Sequence, residues 1–297
     1  MSDLTRESWN IATRNHNVHK GDQAAFLRGG GELLFSEELE LLGPLAGKEL
    51  VHLQCNAGQD SLCLARRGAR VVGVDFSDEA VAFARRLSVD AGIPARFELA
   101  EVVSWLHATP ERFDLAFTSY GTVGWLPDLA RWARGVARVL RPGGAFVYVE
   151  FHPLVWSIGP DLGLSGDDYF STEPFREPVG DYVAESGAAL GAIAADQPAV
   201  SAPNAVPATS YQHGLGAVVQ ALLHAGLTLE TLAEHPHSNG CRTNPAQVLG
   251  PDRRYHWPDG AARVPLMFSL RARKPAATPA WTSRLRAESP APSNRPR

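Results

Sequence analysis

The chain has 297 residues, enough for one large α/β domain or for one domain with a sizeable insertion. Its 44% hydrophobic and 20% charged residues are ordinary for a globular protein, and no apolar run is long enough to span a bilayer. The net charge of −4 gives no electrostatic reason to expect nucleic acid or an anionic membrane as a partner.

The three cysteines (Cys55, Cys63 and Cys241) are an odd number and contain no CxxC pair, which argues against a disulfide framework and a zinc site. The N-terminal stretch "MSDLTRESWN" has no apolar core of a signal peptide. We therefore expect a reducing, cytoplasmic location.

In chain order, "SEELELLGPLAGKEL" predicts a helix with Ser36 as its N-cap and a stop at Gly43 and Pro44. Apolar strands and amphipathic helices then alternate, with helices closed at Gly68 and Gly92 and a fourth helix running through "RVLRPGG". The five strands are "LVHLQC", "RVVGVDFS", "ARFELAE", "FDLAFTSYG" and "AFVYVEFHP". This alternation predicts an α/β protein with a doubly wound, mostly parallel sheet and helices on both faces.

The regular pattern stops after the fifth strand. Residues 153–210 are rich in Pro, Gly, Ala and scattered aromatics, and long loops inside a compact domain are commonly lids over a site. The helix "GLGAVVQALLHAGL" and the strands "TLETLAEHP" and "VPLMFSLRARK" follow. We therefore predict an N-terminal helical cap, a cofactor-binding core, a substrate lid, the completion of the sheet and a disordered tail, over residues 1–47, 48–152, 153–210, 211–274 and 275–297.

Ligands of doubly wound sheets bind outside the carboxyl ends of the strands. The residues at these ends are Gln54, Cys55, Asn56 and Gly58, then Asp75, Phe76 and Ser77, then Glu101, Ser119 and Tyr120, and finally Glu150, Phe151 and His152.

The first loop, "VHLQCNAGQDSL", resembles a dinucleotide turn that has lost most of its glycines. Asp75 follows Gln54 by 21 positions, the distance at which an acidic residue binds a ribose diol. Asn56 stands where a glycine would admit a pyrophosphate, so the loop favours an adenosine ligand without phosphates.

The stretch from "LVHLQCNAGQDSL" through "VVGVDFSDEAVAFAR" and "FDLAFTSYG" to "RVLRPGGAFVYVEFHP" resembles class I S-adenosylmethionine-dependent methyltransferases. The resemblance covers roughly residues 48–152 and the closing strands. It implies a seven-stranded sheet with an antiparallel last strand, and S-adenosylmethionine as the cofactor. Within the first motif, His52, Gln54 and Asn56 depart from the family's acidic residue and glycines.

The resemblance also assigns parts of the cofactor to individual residues. Asp75 would hold the ribose, Phe76 and Val102 would flank the adenine, and Glu101 would face the adenine amine. Gly58 would let the loop pass close to the ligand, with Gln54, Cys55, Asn56 and Ser77 around it, and Ser119 would lie near the methionine end. The structural alternatives are that Phe76 and Val102 are core residues and that Glu101 caps a helix.

Two residues are candidates for the catalytic steps. His152, directly after the fifth strand, is the candidate base, and Tyr120 could orient the acceptor or contact the sulfonium. The alternatives are that His152 caps a turn before Pro153 and that Tyr120 packs in the core.

In this family the segment before the first strand often folds over the cofactor, so Trp9, Asn10 and His16 are candidates for its methionine side. The alternative is a frayed terminus, to which His19 and Lys20 are assigned. His235 and His237 have a metal-like spacing but no further ligand, so we expect no metal.

The aromatic, weakly charged insertion favours a small aromatic acceptor, and the chain resembles actinobacterial natural-product methyltransferases, some of which methylate indole carbon. O- or N-methylation of another small molecule and cofactor binding without catalysis are the alternatives, and an NAD-dependent oxidoreductase is disfavoured by Gln54 and Asn56. Whether the chain forms a homodimer stays open.

Overall fold

A computed structural model describes residues 2–164, 166–187 and 201–276. The segment before the first strand consists of α1 (Asp3–Val18), α2 (Gln23–Arg28) and α3 (Ser36–Leu42). Side-chain oxygens of Ser2 and Asp22 cap α1 and α2 by accepting bonds from backbone N–H groups. Most of the predicted disordered tail, and residues 188–200 of the predicted lid, lie outside the described residues.

Strands and helices then alternate through the core. They are β1 (Glu49–Leu53), α4 (Gln59–Arg66), β2 (Arg70–Asp75), α5 (Asp78–Ala91), β3 (Arg96–Leu99), α6 (Val102–Ala108), β4 (Phe113–Ser119), α7 (Leu129–Val139) and β5 (Leu140–Phe151). Gly92 ends α5 in the left-handed conformation, as its position predicted.

The remaining elements belong to the insertion and the end of the chain. They are β6 (Phe175–Pro178), α8 (Tyr182–Ser186), β7 (Pro207–Ser210), α9 (Leu215–His224), β8 (Thr228–His235), β9 (His237–Asn239), β10 (Val248–Leu249), β11 (Arg254–His256) and β12 (Met267–Arg273). Strands β6 and β7 pair with each other, and β9, β10 and β11 form a small antiparallel sheet.

The main sheet has seven strands in the order β3-β2-β1-β4-β5-β12-β8. The first five strands pair in parallel, and β12 is antiparallel to both of its neighbours. The predicted fold class is confirmed, including the antiparallel last strand. Because the carboxyl ends of β1, β2, β4 and β5 meet at one edge, the side chains that follow them converge there.

Both faces of the sheet are buried, which explains why its strands are nearly continuous apolar runs. Val51 belongs to one buried cluster with Trp132 and Tyr148, which includes residues of α6, α7 and α9, whereas its neighbour Leu50 belongs to a second cluster with Phe97 on the opposite face. No helix within the described ranges is long and apolar enough to cross a membrane.

Three local details differ from the prediction. Helix α7 ends at Val139, and "RPGG" belongs to β5, because Pro142 and the conformation it imposes on the residue before it disfavour a helix. The N-cap of α3 is Phe35, one residue before Ser36, and the Glu38 carboxylate accepts a bond from the Phe35 N–H at 2.7 Å. The short strands β6, β7 and β9 to β11 were not predicted.

A methyl group added at Gly73 would disturb the centre of the sheet. A Cβ there would lie 2.6 Å from Phe97 Cδ1 and 2.8 Å from Cys55 Sγ, both in the core. We expect Gly73→Ala to lower the free energy of unfolding by about 1–3 kcal/mol, measured by chemical denaturation. Gly216→Ala, on the exposed face of α9, is the matched control, because an added Cβ there would meet no atom within 4 Å. This substitution should stabilise the protein slightly. Equal effects of the two substitutions would contradict the packing argument.

Candidate active site

A cavity of about 650 Å³ lies at the carboxyl ends of β1, β2, β4 and β5. Helix α1, segments of residues 153–210 and the region of β9 to β11 close it on the other sides. Eight of the predicted site residues line this cavity. Seven are cofactor candidates, Trp9, Gln54, Cys55, Asn56, Asp75, Phe76 and Ser119, and the eighth is the catalytic candidate Tyr120.

The loop between β1 and α4 has the backbone of a glycine-rich turn although two of its glycines are absent. Gln54 has φ 54° and Asn56 has φ 47°, both in the left-handed region that favours glycine. Asparagine tolerates this conformation better than most residues, whereas glutamine adopts it at a cost. Such strain, held in place by its surroundings, is characteristic of binding sites.

Gly58, at φ 80°, is the third left-handed residue of the loop. The reason for a glycine here differs from the expected close approach to the ligand. A Cβ there would lie 2.7 Å from Ala84 Cβ and 2.8 Å from Phe97 Cε1. The glycine therefore permits close packing of the loop against α5 and β3, and it does not line the cavity.

Asp75 presents a buried carboxylate to the cavity. Its Oδ2 accepts the Asn56 N–H at 2.8 Å and its Oδ1 accepts the Ser77 N–H at 2.9 Å, which leaves lone pairs on both oxygens. Burial raises the pKa of Asp75 to about 6, against the opposing effect of these backbone bonds. The arrangement suits two hydroxyl donors on one ligand.

Phe76 also lines a second, smaller cavity of about 140 Å³, which it shares with Ala100 and Glu101. The Glu101 carboxylate accepts the N–H groups of Val103 and Ser104 at 3.0 and 2.8 Å, so it caps α6, as the structural alternative held. The neighbouring Val102 is a core residue and lies in the lining of neither cavity.

Helix α1 covers the cavity through Trp9 and Thr13. His16, by contrast, is buried between α1 and the insertion, with its Nε2 3.1 Å from Gly180 O and its ring centroid 4.1 Å from that of Tyr182. Burial lowers the pKa of His16 to about 4. His16 therefore joins two segments around the cavity and does not line it.

Ser77 caps α5 through a bond from the Ala80 N–H at 3.1 Å and donates to Asn10 Oδ1 at 2.6 Å. It thereby fixes α1 against α5. Neither cavity includes it in the lining.

Lys20 and Asp60 line the cavity and were missed as site residues. Burial lowers the pKa of Lys20 to about 8 and raises that of Asp60 to about 6, while the attraction between the two charges opposes both shifts. The sequence signal that could have identified them is position: Lys20 comes just after α1, and Asp60 comes just after the "QCNAGQ" loop. An ammonium and a carboxylate in the same lining match the carboxylate and ammonium of an α-amino acid.

Several buried polar atoms of this lining have no hydrogen-bond partner within the part of the chain that the structure describes. They are Gln54 Oε1, Trp9 Nε1 and Thr13 Oγ1. Since buried polar atoms are normally paired, these atoms fit a cavity that receives a polar ligand. Together with Asp75, Lys20 and Asp60, they are a donor and acceptor set suited to an amino-acid nucleoside.

The structure brings only one of the two candidate catalytic residues to the cavity. Tyr120 lines it, with its Oη donating to Glu38 Oε1 and accepting from Asn239 Nδ2 at 3.0 Å. His152 lies outside the lining: its Nδ1 accepts the Leu154 N–H at 3.2 Å and its Nε2 lies 3.0 Å from Glu234 Oε1. With both ring nitrogens engaged away from the cavity, His152 is not positioned as a base.

Glu150 holds the loop that carries Tyr120. Its carboxylate accepts bonds from the N–H of Gly121, from the N–H and hydroxyl of Thr122 at 2.8 and 3.2 Å, from Tyr148 Oη at 2.7 Å and from the Phe151 N–H at 2.8 Å. The sequence placed Glu150 at a strand end without assigning it a role.

The histidine pair assessed for metal binding has a third neighbour. Glu37 lies with His235 and His237 so that the candidate ligand atoms are within 4.8 Å of one another. Arg254 Nη2 contacts both oxygens of Glu37 at 2.9 and 2.8 Å, and His237 Nε2 lies 2.8 Å from one of them. The cluster is therefore organised as an ion-pair network.

Comparisons with known proteins agree with this geometry. Residues 51–144 match a family model described as the methyltransferase domain. An uncharacterized methyltransferase of Synechocystis sp. is 34% identical over 143 residues, a match that covers 47% of this chain and 65% of that protein. A ubiquinone biosynthesis O-methyltransferase of Methylobacterium sp. is 36% identical over 126 residues, covering 42% of this chain and 49% of that protein. The chain thus spans about half to two thirds of these relatives.

A solved S-adenosylmethionine-dependent methyltransferase from Methanosarcina mazei shares the fold. It aligns with a TM-score of 0.52 and 18% identity over 82% of this chain and 99% of its own. Residues 51–144 thus match a methyltransferase domain, and the sheet has the fold of a solved S-adenosylmethionine-dependent methyltransferase. These findings support the predicted methyltransferase activity and S-adenosylmethionine as the cofactor.

Proposed function

We propose that this protein transfers the methyl group of S-adenosylmethionine to a small acceptor bound in the 650 Å³ cavity. The observation that carries the proposal is Asp75: a buried carboxylate at the end of β2, open to the cavity beside the left-handed turn at Gln54 and Asn56. That is the position from which an acidic residue binds a ribose diol.

The residues distribute over the cofactor as follows. Asp75 holds the ribose hydroxyls, and Phe76 with Glu101 borders the adenine. Lys20 and Asp60 hold the amino-acid end, helped by the free Oε1 of Gln54. When bound, the cofactor supplies an electrophilic methyl group on a sulfonium, and the protein contributes alignment and exclusion of water.

The acceptor side of the cavity is rich in aromatic rings. They come from the loop after β4, the end of β5, the insertion and the residue that follows it: Trp125, Phe151, Trp156, Tyr182 and Tyr211. This lining favours a flat aromatic acceptor, and indole carbon methylation in secondary metabolism is the specific reaction that we propose. O-methylation of a phenol is the second candidate, favoured by the ubiquinone biosynthesis O-methyltransferase relatives. Cofactor binding without catalysis is the third.

We expect micromolar binding of S-adenosylmethionine and S-adenosylhomocysteine and no measurable binding of NAD, tested by calorimetry and thermal shift. The turn has no glycine at position 56 to admit a pyrophosphate, which NAD requires. Transfer of isotope-labelled methyl to a panel of indoles and phenols then tests catalysis. Binding of NAD alone, or of none of the three, would contradict the proposed function, and binding without transfer would favour the non-catalytic alternative.

The location and assembly of the protein are also proposals. The three cysteines are free, which is consistent with a reducing, cytoplasmic compartment. We propose a homodimer, and size-exclusion chromatography with light scattering would test it by measuring the molar mass in solution.

A further inference from the structure

We infer that Glu38 is the terminal proton acceptor of the active site: the acceptor molecule gives a proton to Tyr120 Oη while Tyr120 passes its own proton to Glu38. The inference rests on the proposed function and narrows its substrate class. The acceptor is a molecule that must lose a proton when it is methylated, such as a phenol, a hydroxyl or an indole N–H compound. A tertiary amine or a thioether has no proton to lose.

The first observation is the isolation of the Glu38 carboxylate. Glu38 is 1% exposed, its Oε2 accepts the Phe35 N–H at 2.7 Å, and its Oε1 accepts the Tyr120 hydroxyl. Within the described ranges it forms no ion pair, whereas Glu37, the preceding residue, is held by Arg254 and His237. A buried carboxylate without a cation has a strong affinity for a proton.

The second observation is the way in which Tyr120 is held. Tyr120 follows β4 directly and has φ 51°. Its Oη reaches Glu38 of α3, and Asn239 Nδ2 donates to the same Oη at 3.0 Å. Asn239 is itself fixed by Arg254 Nε, which donates to its Oδ1 at 3.0 Å. The phenol thus receives one bond, donates one to Glu38 and keeps one lone pair.

The third observation is that the buried and half-buried carboxylates that line the cavity are already engaged. Asp75 receives two backbone bonds and is assigned to the ribose, Asp60 is attracted to Lys20, and Glu150 receives five bonds. The other carboxylates of the lining are exposed to solvent: Asp167, Glu177 and Glu185. The Tyr120–Glu38 pair is therefore the route by which a proton can leave the acceptor without disturbing the cofactor.

The step balances in atoms and charge. The nucleophilic atom of the acceptor forms a bond to the methyl carbon, the carbon–sulfur bond breaks, and the sulfur keeps its electron pair. The acceptor's proton moves to Tyr120 Oη and the phenolic proton moves to Glu38 Oε1. For an indole the proton comes from the ring nitrogen as the carbon attacks. The carboxylic acid at Glu38 then releases its proton before the next turnover.

The titration of Glu38 gives the expected pH dependence. Burial, and less strongly the charge of Asp60, raise the pKa of Glu38 to about 8, against the hydrogen bond from Tyr120. Only the ionised carboxylate can accept a proton, so the turnover rate should rise as the pH rises through about 8. The side chains that act on this pKa are Tyr120 and Asp60. The other charged residues on α3 and on the two strands packed against it, β5 and β12, are Glu37, Glu40, Arg141, Glu150, Arg271 and Arg273.

The test is Glu38→Gln in the full chain, with Glu40→Gln on the exposed face of the same helix as the control. The acceptors are indoles and phenols, with S-adenosylmethionine as the methyl donor. We expect Glu38→Gln to lower kcat on the order of 100- to 10,000-fold, to change KM little and to abolish the rise towards pH 8. Glu38→Asp should restore part of kcat. Unchanged kcat and pH profile in Glu38→Gln would overturn the inference.

Two further measurements separate this inference from the proposed function. Calorimetry with S-adenosylhomocysteine should give the same affinity for wild type and Glu38→Gln; failure of the wild type to bind contradicts the proposed function itself. Infrared difference spectra of the ligand-free protein should show a protonated carboxyl at pH 6 that ionises by pH 9 and is missing in Glu38→Gln. A spectrum without this band overturns the role of Glu38 even when no acceptor of the panel is methylated.

Discussion

Asp75→Asn weakens binding of S-adenosylmethionine and S-adenosylhomocysteine about 100-fold in calorimetry, the largest loss that we expect from a single cofactor contact. Hydrogen bonds to a charged group contribute about 1.5–3 kcal/mol each, and two ribose hydroxyls donate to this carboxylate in the proposed complex. The amide has one acceptor oxygen instead of two. Its NH₂ group would also face the N–H of either Asn56 or Ser77, which now donate to Asp75.

The pH dependence of the affinity follows from the same carboxylate. Burial raises the pKa of Asp75 to about 6. Protonation removes acceptor capacity and adds a donor, so the affinity for S-adenosylhomocysteine should fall as the pH falls through about 6. Asp75→Asn should lack this inflection.

Asp114→Asn is the matched control for both measurements. Asp114 lies near the start of β4, at the opposite edge of the sheet, where its Oδ2 accepts the Glu49 N–H at 2.9 Å. The Asp114→Asn variant should bind the cofactor with the affinity and the pH profile of the wild type. If Asp75→Asn did the same, the ribose assignment would be wrong.

The sequence predicted the sheet well because the fold depends on patterns that are local. Each core strand is buried on both faces and is therefore a continuous apolar run, such as "RVVGVD" in β2. Caps such as Gly92 and the helix ends are also local signals. The boundary at "RPGG" was wrong although Pro142 is a local signal against a helix. The start of the strand at Leu140, before the proline, depends on pairing with β4, which no local pattern reports.

The site was predicted where it depends on strand ends and missed where it depends on distant segments. Asp75 and Tyr120 follow strands whose carboxyl ends must meet, so their convergence could be expected. Glu38 and Asn239 come from a helix before the sheet and a short strand near its end, and only the tertiary fold brings them to Tyr120. Lys20, which follows α1, was missed for the same reason: only the tertiary fold brings it to the cavity.

The opposite error, residues expected at the site and found elsewhere, has an equally physical reason. Val102 is the first residue of α6, and its side chain enters the core as the helix turns back onto the sheet. His152 contacts Glu234 because β12 and β8 return beside β5, a topology that the position of His152 after a strand does not reveal.

Glu150→Gln should lower the free energy of unfolding by about 2–4 kcal/mol, although the substitution preserves shape. Glu150 Oε1 accepts the N–H groups of Gly121 and Phe151, and Oε2 accepts the Thr122 N–H and the hydroxyls of Thr122 and Tyr148. Hydroxyls can rotate, but backbone N–H groups cannot. Whichever way the glutamine amide turns, its NH₂ group faces at least one N–H donor that has lost its acceptor.

Chemical denaturation measures this loss, and Tyr148→Phe is its control. That variant removes one hydroxyl donor from Glu150 and leaves every backbone N–H paired, so it should cost only about 1 kcal/mol. Similar losses in the two variants would mean that the backbone bonds do not carry the effect. Because Tyr120 lies between Ser119 and Gly121, a loosened turn also displaces its phenol. Glu150→Gln should therefore reduce kcat and cofactor affinity together, whereas Glu38→Gln reduces kcat alone.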